Sequence, residues 1–525
     1  MNITSLFDAR SADCPQGPAI IDTRGWRFRA FTYEELGEQA KRVARLFHEA
    51  GLTRGDRALV LHPMSAQLYV LLLALLRLGV AAVFPDASAG SKQVAQCCTQ
   101  TVPRAFIGSP RAHLLRLCCP ELRRIPLKFS TGMQAPGSTD LRAAAHHQPY
   151  SPIASCVAMD PALVTFTSGS TGQPKVLVRT HGFLRAQVKV LQRSLDYRPG
   201  EMIFTTLPLF VLAQLAAGST SLIPDVDPRH PESFDPSRLL AQMESYRPTR
   251  ILASPAHLES LADHCLARQV SLKWLSQVDT GGAPIFPRLL AKLRSIAPQA
   301  TIRAVYGSSE AEPIATVDFS TIFPDDLVAM AGGDGLLAGS PVPAIHLRIL
   351  PDRWGMPLGP YTGQEFAAAC LEPGQVGEIV VSGDHVLRGY LNGQGDQETK
   401  FAADGAVWHR TGDAGYVDQK GHLWLLGRCS ARIEDKWGVL YPFTVECPLS
   451  DHPDIHRATV VSVHGRRILA VEPKTGVDLR RLAGLQQSLW RLHLDDLMII
   501  KAIPVDRRHS GKICYPALRK LLEPL

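Results

Sequence analysis

The chain has 525 residues, of which 45% are hydrophobic and 20% charged, with a formal net charge of +7. At that length one core does not suffice, at least two domains are expected, and the apolar content is ample to bury them. The excess of positive charge is small for the size, and Lys and Arg alternate with Asp and Glu along most of the chain, which argues against a nucleic-acid partner.

In chain order, the opening MNITSLFDARSADC lacks the basic and apolar regions of a signal peptide. Thr32 followed by Glu35 forms a capping-box pattern, and Leu36, Ala40, Val43, Ala44 and Phe47 then fall on one helical face up to Gly51. The run LYVLLLALLRLGVAAVF is interrupted by Arg77 and reads as a buried helix followed by a buried strand, not as a transmembrane segment. Eleven cysteines include the doublets Cys97–Cys98 and Cys118–Cys119, but no CxxC and no Cys and His spacing that suits zinc. An odd number in a large chain points to reduced thiols and a cytoplasmic setting.

Short β-type runs (RALVLH, VAAVF, RILASP, IRAVYG) alternate with helix-length segments (PSRLLAQMESY, FPRLLAKLRSIA), which predicts an α/β protein with largely parallel sheets. After about residue 340 the texture changes to HLRIL, GEIVVSG and HLWLLGR, short strands between Gly, Pro and Asp turns, so a β-rich subdomain is expected there. The tail beyond GRCSAR carries a strand pair, ATVVSV and RILAVE, and then amphipathic helices, which fits a small separate α+β domain.

The stretch TFTSGSTGQPK, Thr165 to Lys175, supplies what a polyphosphate cradle needs: backbone that allows close approach, N–H and O–H donors, and a cation. Gly169, Gly172 and Lys175 do not meet the Walker pattern, and the segment runs into another β-type stretch, VLVRTH, instead of opening a helix. On these eleven residues alone, a polar linker and a phosphate loop stand level.

Five further motifs follow downstream: GGAP at Gly281–Pro284, YGSSE at Tyr306–Glu310, TGD at Thr411–Asp413, GR at Gly427–Arg428 and SGKI at Ser510–Ile513. In order and rough spacing the six motifs resemble the adenylate-forming superfamily of acyl-CoA synthetases, nonribosomal adenylation domains and firefly luciferase. Within it, AFIGSPRAHLLRL, LPLFVLAQLAAGSTSLIPDVDPRHP, YGSSEAEPIA and PVDRRHSGKI resemble bacterial olefin β-lactone synthetases and related fatty-acid ligases. The resemblance implies an AMP-binding adenylation domain over 1–428, its β-rich subdomain at about 340–428, and a small mobile C-terminal domain over 431–525 that carries a catalytic lysine.

The implied reaction is attack of a carboxylate on the α-phosphorus of ATP, giving an acyl-adenylate and pyrophosphate. It brings an anion to a polyanion, so charge must be neutralised and the attack aligned. By resemblance Thr167, Ser168, Gly169, Ser170, Thr171, Gly172 and Lys175 hold the leaving phosphates, and Glu310 binds magnesium. Gly281, Gly282 and Ala283 give adenine bare backbone beside the ring of Tyr306, and Gly307, Ser308 and Ser309 complete that motif, with Ser309 where threonine is usual. Asp413 takes the ribose hydroxyls, Arg428 adds a charged contact, Ser430 occupies the hinge where Asp or Lys is commoner, and Lys512 reaches between the carboxylate and the α-phosphate.

Three departures stand out. Val176 follows the loop lysine where glycine is frequent, no histidine follows LPLF, and IEDKWGVLYPFTVE matches the CoA-tunnel hairpin comfortably only at Gly438, Pro442 and Glu446. The first two touch the loop exit and the acyl pocket, and the third favours transfer within the substrate or to a carrier protein. The expected activity is activation of a fatty or 3-hydroxy fatty acid, followed by closure on its own β-hydroxyl or transfer to a thiol. The alternatives are a conventional medium- or long-chain fatty acid–CoA ligase and, from another class, a nucleotide-bound acyl sensor without turnover. ATP and Mg2+ are the implied cofactors, with CoA as one candidate acceptor. A small acyl substrate, and an acyl carrier protein or enzymes of the same pathway, are the candidate partners.

Overall fold

The computed structural model describes residues 1–23, 29–85, 90–167, 175–226, 235–482, 484–506 and 509–523. They form two compact units, Met1–Leu252 with Asp384–Asp396, and Ala253–Gly383 with Gln397–Leu525.

In the first unit the helix Tyr33–Glu49 begins where the side chain of Thr32 accepts from the Glu35 amide and the Glu35 carboxylate accepts from the Thr32 amide, the reciprocal cap expected of that sequence. Leu36, Ala40, Val43, Ala44 and Phe47 are all buried. The long apolar run divides as its pattern predicts, into the helix Ala66–Arg77 and the strand Ala81–Phe84. Arg77 is only 2% exposed and spends its charge on Asp8 and on the Ser151 carbonyl at 2.8 Å.

One sheet of this unit has seven strands in the order Thr139–Asp140, Leu127–Ser130, Ala105–Gly108, Arg57–Leu61, Ala81–Phe84, Pro161–Thr167 and Lys175–Thr180. All its pairings are parallel except the last, a hairpin in which Thr167 faces Lys175. A second sheet sets Arg250–Ala253, Met202–Thr205, Thr220–Ile223 and Pro18–Asp22 in parallel, with Arg29–Thr32 antiparallel at its edge.

In the second unit Gln277–Gly281 runs parallel to Thr301–Ser308, and from there the pairing turns antiparallel: Ala311–Asp318, Leu336–Pro341, Leu423–Arg428, Ala406–Val417, Gly377–Ser382 and His346–Leu350. This is the β-rich texture expected after residue 340. The predicted strand pair of the tail is present as Ile455–Val463 and Arg466–Pro473, with Asp496–Ile499 parallel to the latter.

The tail is less helical than its pattern predicts. Leu479–Leu482, Leu485–Ser488 and Trp490–Leu492 are single turns, and among the described residues after the strand Arg466–Pro473 the amphipathic helix is Tyr515–Leu522. Gly484 and the left-handed His493 cut the segment into pieces too short to repay helix nucleation. All eleven cysteines are free thiols. No helix among the described residues is long and apolar enough to cross a membrane.

Candidate active site

Ser168, Gly169, Ser170, Thr171 and Gly172 lie outside the described residues, as does the side chain of Thr167. Lys175, at the foot of the hairpin, places its Nζ 5.5 Å from the ring centroid of Tyr390. Its stem lies against Gly395, where an added Cβ would come within 2.9 Å of Lys175 Cε. Neither Tyr390 nor Gly395 belongs to a motif singled out from sequence. They reach the hairpin because Leu177 bridges to Tyr390, which joins segment 384–396 to the strand Lys175–Thr180.

The other predicted residues lie in the second unit. Gly281 ends a fully buried strand, and a Cβ there would stand 2.9 Å from the Val305 carbonyl, so only glycine permits this strand spacing. Gly282 follows with φ of +93° and open space beside it. Ala283 Cβ lies 2.8 Å from where a Cβ on Gly511 would be, so the chain segment that carries Lys512 rests directly on the glycine turn.

Tyr306 and Gly307 are near the end of the neighbouring strand, in register with Gln277–Gly281 through the pairs Thr280 with Ala304 and Gly281 with Val305. The Tyr306 hydroxyl donates to Asp413 Oδ2 at 2.8 Å, and burial of the phenol, with the Asp413 charge beside it, raises its pKa well above the usual value. Asp413 sits opposite Arg428 in the antiparallel pair Ala406–Val417 and Leu423–Arg428. Arg428 Nη1 donates to Asp413 Oδ1 at 2.9 Å and to the Thr411 carbonyl at 3.1 Å, while the Asp413 amide donates to Thr411 Oγ1 at 3.1 Å. The carboxylate is thereby held on both oxygens and pinned to its strand.

Two hydroxyls at this end of the sheet, Thr280 Oγ1 and Ser308 Oγ, are buried with no hydrogen-bond partner among the described residues. Enclosed hydroxyls left unpaired are what a polar ligand would satisfy. Ser308 belongs to a predicted motif, whereas Thr280, one residue before GGAP, was missed. Ser309 is exposed and Glu310 half-buried, both just before the strand Ala311–Asp318.

Lys512 is exposed on the strand His509–Ile513. Its ammonium pKa is lowered by the protein atoms crowding its base and by the Arg428 guanidinium, against the opposing pull of Asp413, Asp506 and Glu310. The same four charged groups therefore set the field at Lys512, and Asp506 is a member that the motifs did not disclose. Ser430 is exposed in the turn Cys429–Ala431, and its carbonyl accepts from Arg519 Nη2 at 3.4 Å. The structure thus gathers Gly281–Ala283, Tyr306, Glu310, Asp413, Arg428 and Lys512 in one unit, and Lys175 with Tyr390 in the other.

A glycine turn beside a tyrosine–aspartate–arginine chain, with a lysine brought onto it from the tail, accompanies a match of residues 7–391 to the model of the AMP-binding enzyme family, and the chain belongs to that family. It is 32% identical to the olefin beta-lactone synthetase of Xanthomonas campestris pv. campestris, over 92% of this chain and 89% of that protein. It shows the same identity and coverage with the olefin beta-lactone synthetase of Stenotrophomonas maltophilia. Among solved structures it shares its fold with ATP-bound MatB from Rhodopseudomonas palustris, at 21% identity and a TM-score of 0.81, covering 100% of this chain and 99% of that one.

Proposed function

We propose that the protein activates a fatty or 3-hydroxy fatty acid with ATP, releasing pyrophosphate, and that the acyl group then passes to the substrate's own β-hydroxyl or to a thiol. The observation that carries this reading is the convergence of Lys512, Arg428 and the Asp413–Tyr306 pair on the Gly281–Ala283 turn. The acyl class is supported by the likeness to olefin beta-lactone synthetases. The helix Pro208–Ala217, apolar but for Gln214 and buried from Phe210 on, also suits an alkyl chain.

In this reading the adenine lies on Gly281–Ala283 beside Tyr306, and Thr280 and Ser308 supply donors that are otherwise unspent. Asp413 accepts from the ribose hydroxyls with the geometry that Tyr306 and Arg428 give it. The loop 168–174 and Lys175 hold the β- and γ-phosphates. A carboxylate oxygen of the acid bonds to the α-phosphorus as the bond to pyrophosphate breaks, and Lys512 lies between the two anions, where it lessens their repulsion and stabilises the charge that gathers in the transition state.

Among the described residues no group of three or more His, Cys, Asp or Glu converges on a metal. The single carboxylate of Glu310 fits a magnesium ion that keeps its waters and takes phosphate oxygens as its other ligands. Bound there, the ion would supply further charge neutralisation.

The test is incubation with ATP, magnesium and a panel of fatty and 3-hydroxy acids, with and without CoA, with products read by mass spectrometry. A β-lactone formed without CoA is the expected product from 3-hydroxy acids; a CoA thioester alone would make the protein a conventional ligase, and retained AMP without product a sensor. Lys512→Ala should abolish acid-dependent pyrophosphate release, and release at the parental rate refutes the role given to Lys512.

A further inference from the structure

Glu446 lies on the helix Phe443–Leu449 and is buried, at 7% exposure. Its Oε1 accepts two short hydrogen bonds, from Thr459 Oγ1 at 2.6 Å and from the Tyr515 hydroxyl at 2.6 Å. Thr459 is in the strand Ile455–Val463, and Tyr515 is the first residue of the helix Tyr515–Leu522, three residues after Lys512. A single carboxylate oxygen therefore ties together three elements, one of which roots the Lys512 segment.

The tie also reaches the nucleotide side. The helix of Glu446 starts after Pro442, whose ring carbons lie 3.1 Å from where a Cβ on Gly427 would be, next to Arg428. The Arg428 charge acts on both Tyr515 and Lys512. Among the described residues the Glu446 charge also acts on the Cys447 thiol, which follows on the same helix. Burying a carboxylate among two hydroxyls, with no cation bonded to it among the described residues, costs stability that an apolar side chain would not. A packing role alone does not account for it.

We propose that Glu446 is a positioning residue for adenylation: through Tyr515 it fixes the root of the Lys512 segment and so holds Lys512 beside Arg428 and the Gly281–Ala283 turn. The proposal rests on the adenylation reading above. Burial raises the Glu446 carboxyl to about 7, against the two hydrogen bonds that favour its charged form. The charged form is the stronger double acceptor, so the tie is firm above that pH and weakens as the proton binds below it.

Two measurements test this on the full chain. The first is the kcat and KM of pyrophosphate release across the neutral pH range. The parent should lose kcat on the acid side of neutrality; Glu446→Gln should lower kcat about 2- to 10-fold at neutral pH, erase that acid limb and leave KM for ATP unchanged. Tyr515→Phe should lower kcat by a similar factor. The second is lysine-directed chemical labelling read by mass spectrometry, comparing Lys512 with the exposed Lys520. Glu446→Gln should change the labelling of Lys512 and not that of Lys520. An unaltered acid limb, a loss confined to KM or to melting temperature, or unchanged Lys512 labelling overturns the proposal. If no acid supports pyrophosphate release in the parent, the reading of the function fails, and the labelling still reports whether Glu446 places Lys512.

Discussion

Asp413 is satisfied on both oxygens before any ligand arrives, by a permanent cation on Oδ1 and a neutral hydroxyl on Oδ2. The raised phenol pKa keeps Tyr306 a donor at every ordinary pH. Tyr306→Phe deletes that donor and little else, so Asp413 keeps Arg428 but loses its second restraint. The expected effect is a rise in KM for ATP of about 2- to 10-fold, corresponding to ~0.5–1.5 kcal/mol, with kcat nearly unchanged because Lys512 is placed by other contacts. Steady-state kinetics of pyrophosphate release check it, and a fall in kcat at constant KM would contradict it. The motif strings pick out Tyr306 and Asp413 singly, each by its chemistry. The bond between them spans 107 residues of sequence, and no local pattern encodes such a pairing.

At the scale of elements, the two strands that present Asp413 and Arg428 depend on one glycine. A Cβ on Gly415 would lie 2.2 Å from the Trp424 carbonyl oxygen and 3.0 Å from Ile379 Cδ1, so the strand Ala406–Val417 approaches its partner more closely than any side chain allows. Gly415→Ala should destabilise the second unit by about 1–3 kcal/mol through overpacking and displace Asp413 from Arg428. Urea denaturation should show the loss, and AMP titration a weaker affinity; a variant with parental affinity would show that the strand spacing does not govern the site. Elements with a strong period were readable from the chain, as in Tyr33–Glu49, where cap and apolar stripe agree. The stretch 479–493 was not, because its apolar residues suit a helix while Gly484 and His493 interrupt it, and the short turns are stabilised by a packed cluster of Leu482, Leu485 and Leu494 around Val460 and Leu469. Thr280 escaped notice for a similar reason: a threonine in a buried strand is unremarkable until its hydroxyl is found unpaired.

At the scale of the whole molecule, the residues given to AMP and those given to the leaving phosphates fall in different compact units. Gly281–Ala283, Tyr306, Asp413 and Arg428 belong to the second, and Lys175 and the loop 168–174 to the first. A chain of two such units is not expected to unfold in one step, so its melting should be read transition by transition. A ligand that binds only the folded form adds about 2.7 kcal/mol at a concentration of 100 times its Kd. AMP should therefore raise the transition of the second unit, and Asp413→Ala should remove most of that rise. Lys175→Ala should keep the AMP effect intact and lose only the additional stabilisation that ATP brings over AMP. Lys512→Ala should keep both nucleotide effects while losing turnover, since its role begins when the carboxylate approaches. Differential scanning calorimetry of the parent and the three variants with AMP and with ATP decides this. If Lys175→Ala abolishes the AMP shift, or Asp413→Ala leaves it whole, the roles given to these residues are wrong.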